Sequence, residues 1–245
     1  MPTRSSFANA RRALITGASS GIGEAAVKAF AQAGFSVAMV ARSAQKLEAL
    51  AHELMPSEGA VKAFPMDLAD LADIGQKVSE IESTFGPIDV LINSAGMGYT
   101  RRLSDTSLSD WQQVIDTNLT SVFETVKAVL PGMRERADGL IINIASIAAH
   151  EAFENWGAYG VSKAALVALS RAIAKEEATN GIRVVTLSLG AVNTPIWDAD
   201  TVQADFDRSL MLDAKTVAQT ILHTALLPAD AVISELTLTP AQGAL

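Results

Sequence analysis

Short apolar runs alternate with helical patterns along nearly the whole chain, and this alternation limits the possible folds more than any other feature. The runs cover residues 13–16, 36–41, 61–66, 89–93, 140–144, 183–187 and 233–238. Most are apolar at successive positions, not alternate ones, which is the pattern of strands covered on both faces. Helical patterns lie between them over residues 23–34, 43–55, 71–85 and 108–136. Strand and helix in alternation predict an α/β doubly wound fold, a parallel sheet with helices on both faces and right-handed crossovers. No Pro/Gly/Ser-rich linker, repeat or low-complexity stretch breaks the rhythm, so residues 1–245 read as one domain. Residues 195–213 are the exception. They carry no clear strand, mix Trp197 and Phe206 with several aspartates, and are expected to cover a substrate site.

Composition excludes several function classes. The chain has 49% hydrophobic and 19% charged residues and a formal net charge of −8, without a basic cluster. That balance suits a folded protein and argues against nucleic acid as a partner, since phosphate binding needs grouped Lys and Arg. There is no cysteine, and His52, His150 and His223 are scattered, so neither a disulfide nor a metal site is expected. No stretch of about 18 apolar residues predicts a membrane span, and the first twelve residues have no signal-like apolar core. A cytoplasmic enzyme acting on a small molecule is the expectation.

The first apolar run leads into Thr16-Gly-Ala-Ser-Ser-Gly-Ile-Gly23, which opens a helical pattern. Glycines at such a turn let the backbone bend tightly and approach a pyrophosphate, which then sits on the positive end of the helix. Gly17, Ser19, Ser20, Gly21, Ile22 and Gly23 are therefore candidate cofactor residues. The spacing is G-x-x-x-G-x-G, and a plain strand-to-helix turn is the competing reading. About 20 residues further on, the end of the second strand should face the adenosine ribose. Arg42 and Ser43 stand there, with no carboxylate. A guanidinium pairs with a 2′-phosphate, so NADP(H) is expected over NAD(H).

Tyr159 and Lys163 lie four apart in a helical segment and so share one helix face. A phenol titrates near ~10 and is a poor acid–base group at neutral pH. A nearby ammonium should favour the phenolate and lower that value. Ser146 follows the fifth apolar run, at a carboxyl strand end where ligands bind in open parallel sheets, and its hydroxyl can hold a substrate carbonyl oxygen. Tyr and Lys at this spacing also occur by chance. The chain order of the glycine turn, Ser146 and the Tyr159–Lys163 pair is what makes chance a poor explanation.

With these motifs in place, the sequence resembles the short-chain dehydrogenase/reductase family over nearly its whole length. The turn at 16–23 matches T-G-x-x-x-G-x-G, Asn93-Ser-Ala-Gly96 matches N-N-A-G, and Tyr159 to Lys163 matches Y-x-x-x-K. The resemblance implies a Rossmann-type sheet of seven strands in the order 3-2-1-4-5-6-7. It also implies hydride transfer between a nicotinamide and a carbonyl or alcohol carbon. Tyr159 would give or take the proton, Lys163 would depress its pKa and hold the nicotinamide ribose, and Ser146 would orient the substrate oxygen. Asn118 would position a water in a proton relay. Asp67, with Leu68 beside it, would meet the adenine. Asn93, Ala95, Gly96, Gly190, Val192 and Thr194 would line the rest of the cofactor site, Val192 through its backbone. Helix capping competes for Asp67, and a buried structural role for Asn118.

Two departures stand out: Leu189-Gly190 replaces the family's Pro-Gly, and Ser94 replaces the second Asn of its N-N-A-G motif. The resemblance implies a homotetramer or homodimer. It leaves open an acyl-carrier-protein ketoreductase with the same chemistry, or a protein that senses NADP(H) without turning it over. Met97, Tyr99, Ala148, Phe153, Trp156 and Trp197 form a candidate apolar pocket wall, with Arg101 and Arg102 nearby as possible anion partners.

Overall fold

A computed structural model describes residues 11–55, 60–204 and 206–242. The first ten residues, and with them most of the N-terminal segment read above, lie outside the described residues. The strands are β1 Arg12–Thr16, β2 Ser36–Ala41, β3 Val61–Pro65, β4 Val90–Asn93, β5 Gly139–Ser146, β6 Ile182–Leu189 and β7 Glu235–Leu238. They form one parallel sheet in the order β3-β2-β1-β4-β5-β6-β7. Type and order match the expected seven-stranded sheet. The helices are α1 Gly21–Gln32, α2 Ala44–Glu53, α3 Ile74–Phe85, α4 Leu108–Ile115, α5 Ser121–Arg136, α6 Gly157–Glu177 and α7 Ala214–Ala225.

The apolar runs are continuous because each strand feeds two cores. Successive side chains point to opposite faces of a strand. Ala13, Ile15, Val37, Met39, Leu140, Ile142, Val185 and Leu187 pack with α1, α2 and α7 on one face. Leu14, Ala38, Val40, Leu91, Ile141 and Val184 pack with α3, α5 and α6 on the other. The edge strands differ from this expectation. β3 and β7 are only partly buried and expose Lys62 and Glu235, as edges that must resist pairing with another sheet do. β7 is also shorter than the run 233–238.

Two local departures bear on the site. The single helix expected over 108–136 is α4 and α5 joined by a π turn, Asp116–Thr120. Such wide turns arise where a side chain is drawn out of the regular ladder, often at functional positions. The stretch 195–213, read as strandless, contains Leu212–Asp213, which pairs with Val192–Asn193 as a small parallel ladder. Period-2 reasoning cannot register a strand of two residues. The rest of the stretch holds two 3₁₀ turns, Pro195–Asp198 and Arg208–Leu210.

Candidate active site

The carboxyl ends of the strands meet at two adjoining recesses. The larger is a groove of about 590 Å³ over the glycine turn. The smaller is a cavity of about 140 Å³ in front of Ser146, Tyr159 and Lys163. Ile22, Ser94, Gly96, Met97, Thr194 and Ile196 line both, so the groove runs into the cavity.

The groove is built from backbone close approaches. Gly17 has φ +67°, and a Cβ there would sit 2.8 Å from Ala95 Cα. A Cβ on Gly23 would collide with the Gly17 carbonyl. Gly21 has φ +55° and would press Thr194 at 3.0 Å. These three positions admit only glycine without displacing their neighbours. The turn is held to the loop after β4 by Thr16, whose Oγ1 accepts the amides of Ser94 and Ala95, both at 3.1 Å. Ser20 stands at the N-cap of α1 but makes no side-chain capping bond. Ser43, Ser107 and Asp213 do cap their helices, accepting amides of Lys46, Asp110 and Lys215. The first turn of α1 thus presents free N–H groups and the positive end of its dipole to the groove, the arrangement that receives a phosphate.

Arg42, Ser43, Asp67 and Leu68 line the far end of the groove with Ser19 and Ser20. Lys46, one turn into α2, lines it beside Arg42. Sequence reading missed this second cation, although a Lys four residues after Arg42 at a helix start was visible as a signal. Gln113 and Thr117 also line the groove and were not anticipated. Asp67 borders the groove and caps no helix: its Oδ1 accepts the Ala69 amide at 3.0 Å within a turn. Asn93 is different. It is buried, and its side chain donates to Asn143 Oδ1 at 2.8 Å, part of a chain continued from Asn143 to Ser170 at 2.9 Å. It lines neither recess and ties β4 to β5 and α6.

Ser146 ends β5, and Tyr159 and Lys163 lie on α6, which crosses beneath the cavity. Ser146 Oγ accepts the Ala148 amide at 3.2 Å, and Ser146 and Tyr159 line the cavity together. Lys163 Nζ donates to the Ile144 carbonyl at 2.9 Å and lies 5.8 Å from the centre of the Tyr159 ring. Burial pushes the Tyr159 phenol above its ordinary range, and Ser146 pulls part of that back. Burial also lowers Lys163 to about 8. The expected lowering of the phenol by the ammonium is therefore corrected. Desolvation acts on both groups, and Lys163 donates an N–H to a backbone carbonyl and not to the phenol.

Asn118, in the π turn, is fully buried. Its Nδ2 donates to Met97 O and Ser162 Oγ, both at 3.0 Å, and its Oδ1 accepts the Met97 amide at 2.8 Å. The side chain thus pins the loop after β4 to α6. A Cβ on Gly96 would come 3.2 Å from Asn118 Oδ1 and 3.5 Å from Lys163 Nζ. Gly190, Val192 and Thr194, expected at the cofactor site, line the cavity, and of the three only Thr194 also lines the groove; the Val192 carbonyl is taken by Trp197 Nε1 at 2.8 Å. Ala148, Phe153, Trp156 and Trp197 line the cavity, joined by Ile196 and Phe206. Tyr99 is instead buried in a separate cluster with Val114 and Ala158 and donates to Asp110 at 3.0 Å. Arg101 and Arg102 do not line either recess.

This fold, with a phosphate-receiving turn feeding a Ser–Tyr–Lys cavity, is that of a dinucleotide-dependent oxidoreductase. The family model for short chain dehydrogenases matches residues 11–204, and the chain belongs to that family. An uncharacterized oxidoreductase of Staphylococcus epidermidis is 32% identical over 228 residues, 93% of this chain and 96% of the relative. Among solved structures, an alcohol dehydrogenase from the archaeon Thermococcus sibiricus complexed with 5-hydroxy-NADP is 30% identical with a TM-score of 0.87. The match covers 96% of this chain and 98% of that one. The closed form of a serine dehydrogenase complexed with NADP+ is 28% identical with a TM-score of 0.84, covering 96% of each chain. Among the described residues no group of three or more His, Asp or Glu gathers where a metal could be held. No helix among them is long and apolar enough to cross a membrane.

Proposed function

We propose that the protein is an NADP(H)-dependent oxidoreductase that interconverts a ketone or aldehyde and an alcohol, with Tyr159 as general acid and base. The observation that carries this reading is the junction of groove and cavity, where the half-buried Tyr159 phenol and Ser146 line the cavity into which a phosphate-receiving groove runs. NADP(H) fits the groove on three counts. Gly17, Gly21 and Gly23 leave room where any Cβ would intrude, α1 offers an uncapped N-terminus, and Arg42 with Lys46 stands where a ribose 2′-phosphate would need cations. Structural neighbours that carry NADP or its 5-hydroxy form support the same cofactor. When bound, the cofactor supplies or accepts the hydride.

The chain's own groups do the rest. Ser146 orients the substrate oxygen with its hydroxyl, while its lone pair is steadied by the Ala148 amide. Tyr159 places a proton on that oxygen in reduction and removes it in oxidation. Its upward-shifted pKa keeps the phenol protonated at neutral pH, as an acid in the reducing direction needs. Lys163, held by the Ile144 carbonyl, fixes the ribose side of the site and the floor under Tyr159. Asn118 keeps the loop of Gly96 and Met97 against α6, so that groove and cavity share one wall. Gly190, Val192 and Thr194 shape the bend beneath the nicotinamide. The chain acts as one domain with 195–213 as its substrate loop, and it assembles as a homotetramer or homodimer.

Tyr159→Phe tests the reading. NADPH binding, followed by fluorescence, should survive, while carbonyl-dependent NADPH oxidation should fall at least ~100-fold, the usual worth of a positioned acid. Full activity in the variant would refute the role of Tyr159. NADPH binding by the native protein without turnover of any carbonyl or alcohol, in either direction, would refute the enzyme.

A further inference from the structure

The substrate cavity is sparing in charge. Of the described residues lining it, only Tyr159 and Lys163 titrate, and Lys163 donates one N–H to the Ile144 carbonyl. Among the described residues no Arg, His, Asp or Glu lines it. One wall of the cavity is a run of aromatic rings packed edge to face. Tyr159 and Trp156 have ring centres 5.2 Å apart, Trp156 and Trp197 5.7 Å, and Trp197 and Phe206 5.4 Å. Each step adds orientation as well as buried area.

The wall is fixed in place. Trp197 Nε1 is spent on the Val192 carbonyl, so this indole offers a substrate its apolar faces and not its donor. Arg208 ties the loop that carries Trp197 and Phe206 to the floor. It bonds Asn193 Oδ1 and the Thr194 carbonyl at 3.0 Å each, and Asp198 on the far side of Trp197. A carboxylate entering this cavity would lose its water and meet, among the described residues, no cation but the buried Lys163 ammonium, which is shared with the Ile144 carbonyl.

We propose that the cavity selects uncharged, largely apolar carbonyl compounds and their alcohols, that Trp156, Trp197 and Phe206 set this specificity, and that Arg208 is a positioning residue for the latter two. The proposal rests on the oxidoreductase reading above and goes beyond it in naming the substrate class. An acid whose carboxylate adjoins the reacting carbonyl must bring its charge inside, whereas the matching ester brings none. The selection is therefore strongest for charges placed next to the reacting carbon.

The test compares phenylglyoxylate with its methyl ester as substrates for NADPH oxidation. The ester should have the larger kcat/KM by at least 100-fold, equivalent to about 2.8 kcal/mol at ~1.4 kcal/mol per decade. Phe153→Arg, which puts a cation into the same wall, should shrink that ratio at least 10-fold. The intrinsic reactivities of the two compounds cancel between native protein and variant. Trp197→Ala should lower kcat/KM for the ester about 10-fold, mainly through KM, and Arg208→Ala should do so less severely. If Phe153→Arg fails to fold, Ala148→Lys serves the same purpose. Equal use of acid and ester by the native protein, or a ratio unmoved by the introduced cation, overturns the specificity while leaving the oxidoreductase intact. Absence of turnover with every neutral and charged carbonyl, NADPH being bound, overturns both.

Discussion

Replacing Thr16 by Val probes the joint that holds the cofactor turn to the rest of the site. Valine keeps the branched shape of this buried residue and removes one oxygen. That oxygen accepts two amides, Ser94 and Ala95 at 3.1 Å, and donates weakly to the Ile92 carbonyl at 3.4 Å. An amide left without its partner costs about 1–3 kcal/mol when water cannot replace it, and less where it can. Both amides lie in a half-buried loop at the groove edge. We therefore take the low end for each and expect about 2–3 kcal/mol in all. Thr16→Ser keeps the oxygen and loses a methyl, which should cost about 1 kcal/mol.

The assay is urea unfolding of the three proteins at one pH, read as a shift in midpoint at constant slope. NADPH affinity should fall in Thr16→Val, because Ser94 and Gly96 line both recesses, and stay near native in Thr16→Ser. The order is the decisive result. If Thr16→Val proves no less stable than Thr16→Ser, the hydroxyl is not what holds the turn to the loop, and the joint must be assigned to packing.

Other consequences can be measured alongside it. Arg42→Ala should raise the KM for NADPH about 10- to 100-fold, the worth of a bond between charged partners, and leave that for NADH within twofold. Lys46→Ala should do the same more weakly, and parallel losses for both cofactors would refute the assignment of this end of the groove. Lys163, lowered to about 8 by burial, gives a pH signature. Below pH 8 the folded protein holds a desolvated ammonium. Between pH 8 and the ordinary value of 10.5 the folded state has lost that proton while the unfolded state keeps it, so stability must rise with pH. Relative to Lys163→Met, the native protein should gain up to about 3 kcal/mol across this window. A flat difference in chemical denaturation across it would contradict the burial argument. Tyr159, shifted upward, has the opposite sign and acts only above pH 10, where the folded state keeps a proton that the unfolded state has lost.

The fold was legible because its signals are redundant. Most of the seven runs are apolar at successive positions, as strands covered on both faces are, and the two cores on either side of the sheet take up nearly all of their apolar side chains. What the sequence did not display were features set by long-range pairing. The ladder of Val192–Asn193 with Leu212–Asp213 is too short to show a period, and the π turn at Asp116–Thr120 leaves the apolar rhythm of a helix intact. That turn answers to bonds from Asn118 to Met97 and Ser162, residues 21 and 44 positions away. No local pattern can carry such information.

The site was legible in its residues and less so in its electrostatics. Ser146, Tyr159 and Lys163 were placed by motif, and the structure gathers them at one cavity. Yet the spacing of Tyr159 and Lys163 implied an ammonium that acidifies a phenol, whereas the fold desolvates both groups and turns the ammonium toward Ile144. Spacing along a helix says which groups are neighbours. It does not say which atom each group faces or how much water remains around it, and those two quantities set a pKa. Asn93 teaches the same lesson in reverse. Its motif suggested a cofactor contact, but its amide is spent on Asn143, bracing the strand that carries the loop. The loop's working parts are the backbone of Ser94 and Ala95, held by Thr16, and the bare Cα of Gly96 beneath Lys163. A side chain buried in such a brace shapes the site without touching what binds there. Substituting Asn93 should therefore alter stability before it alters cofactor choice.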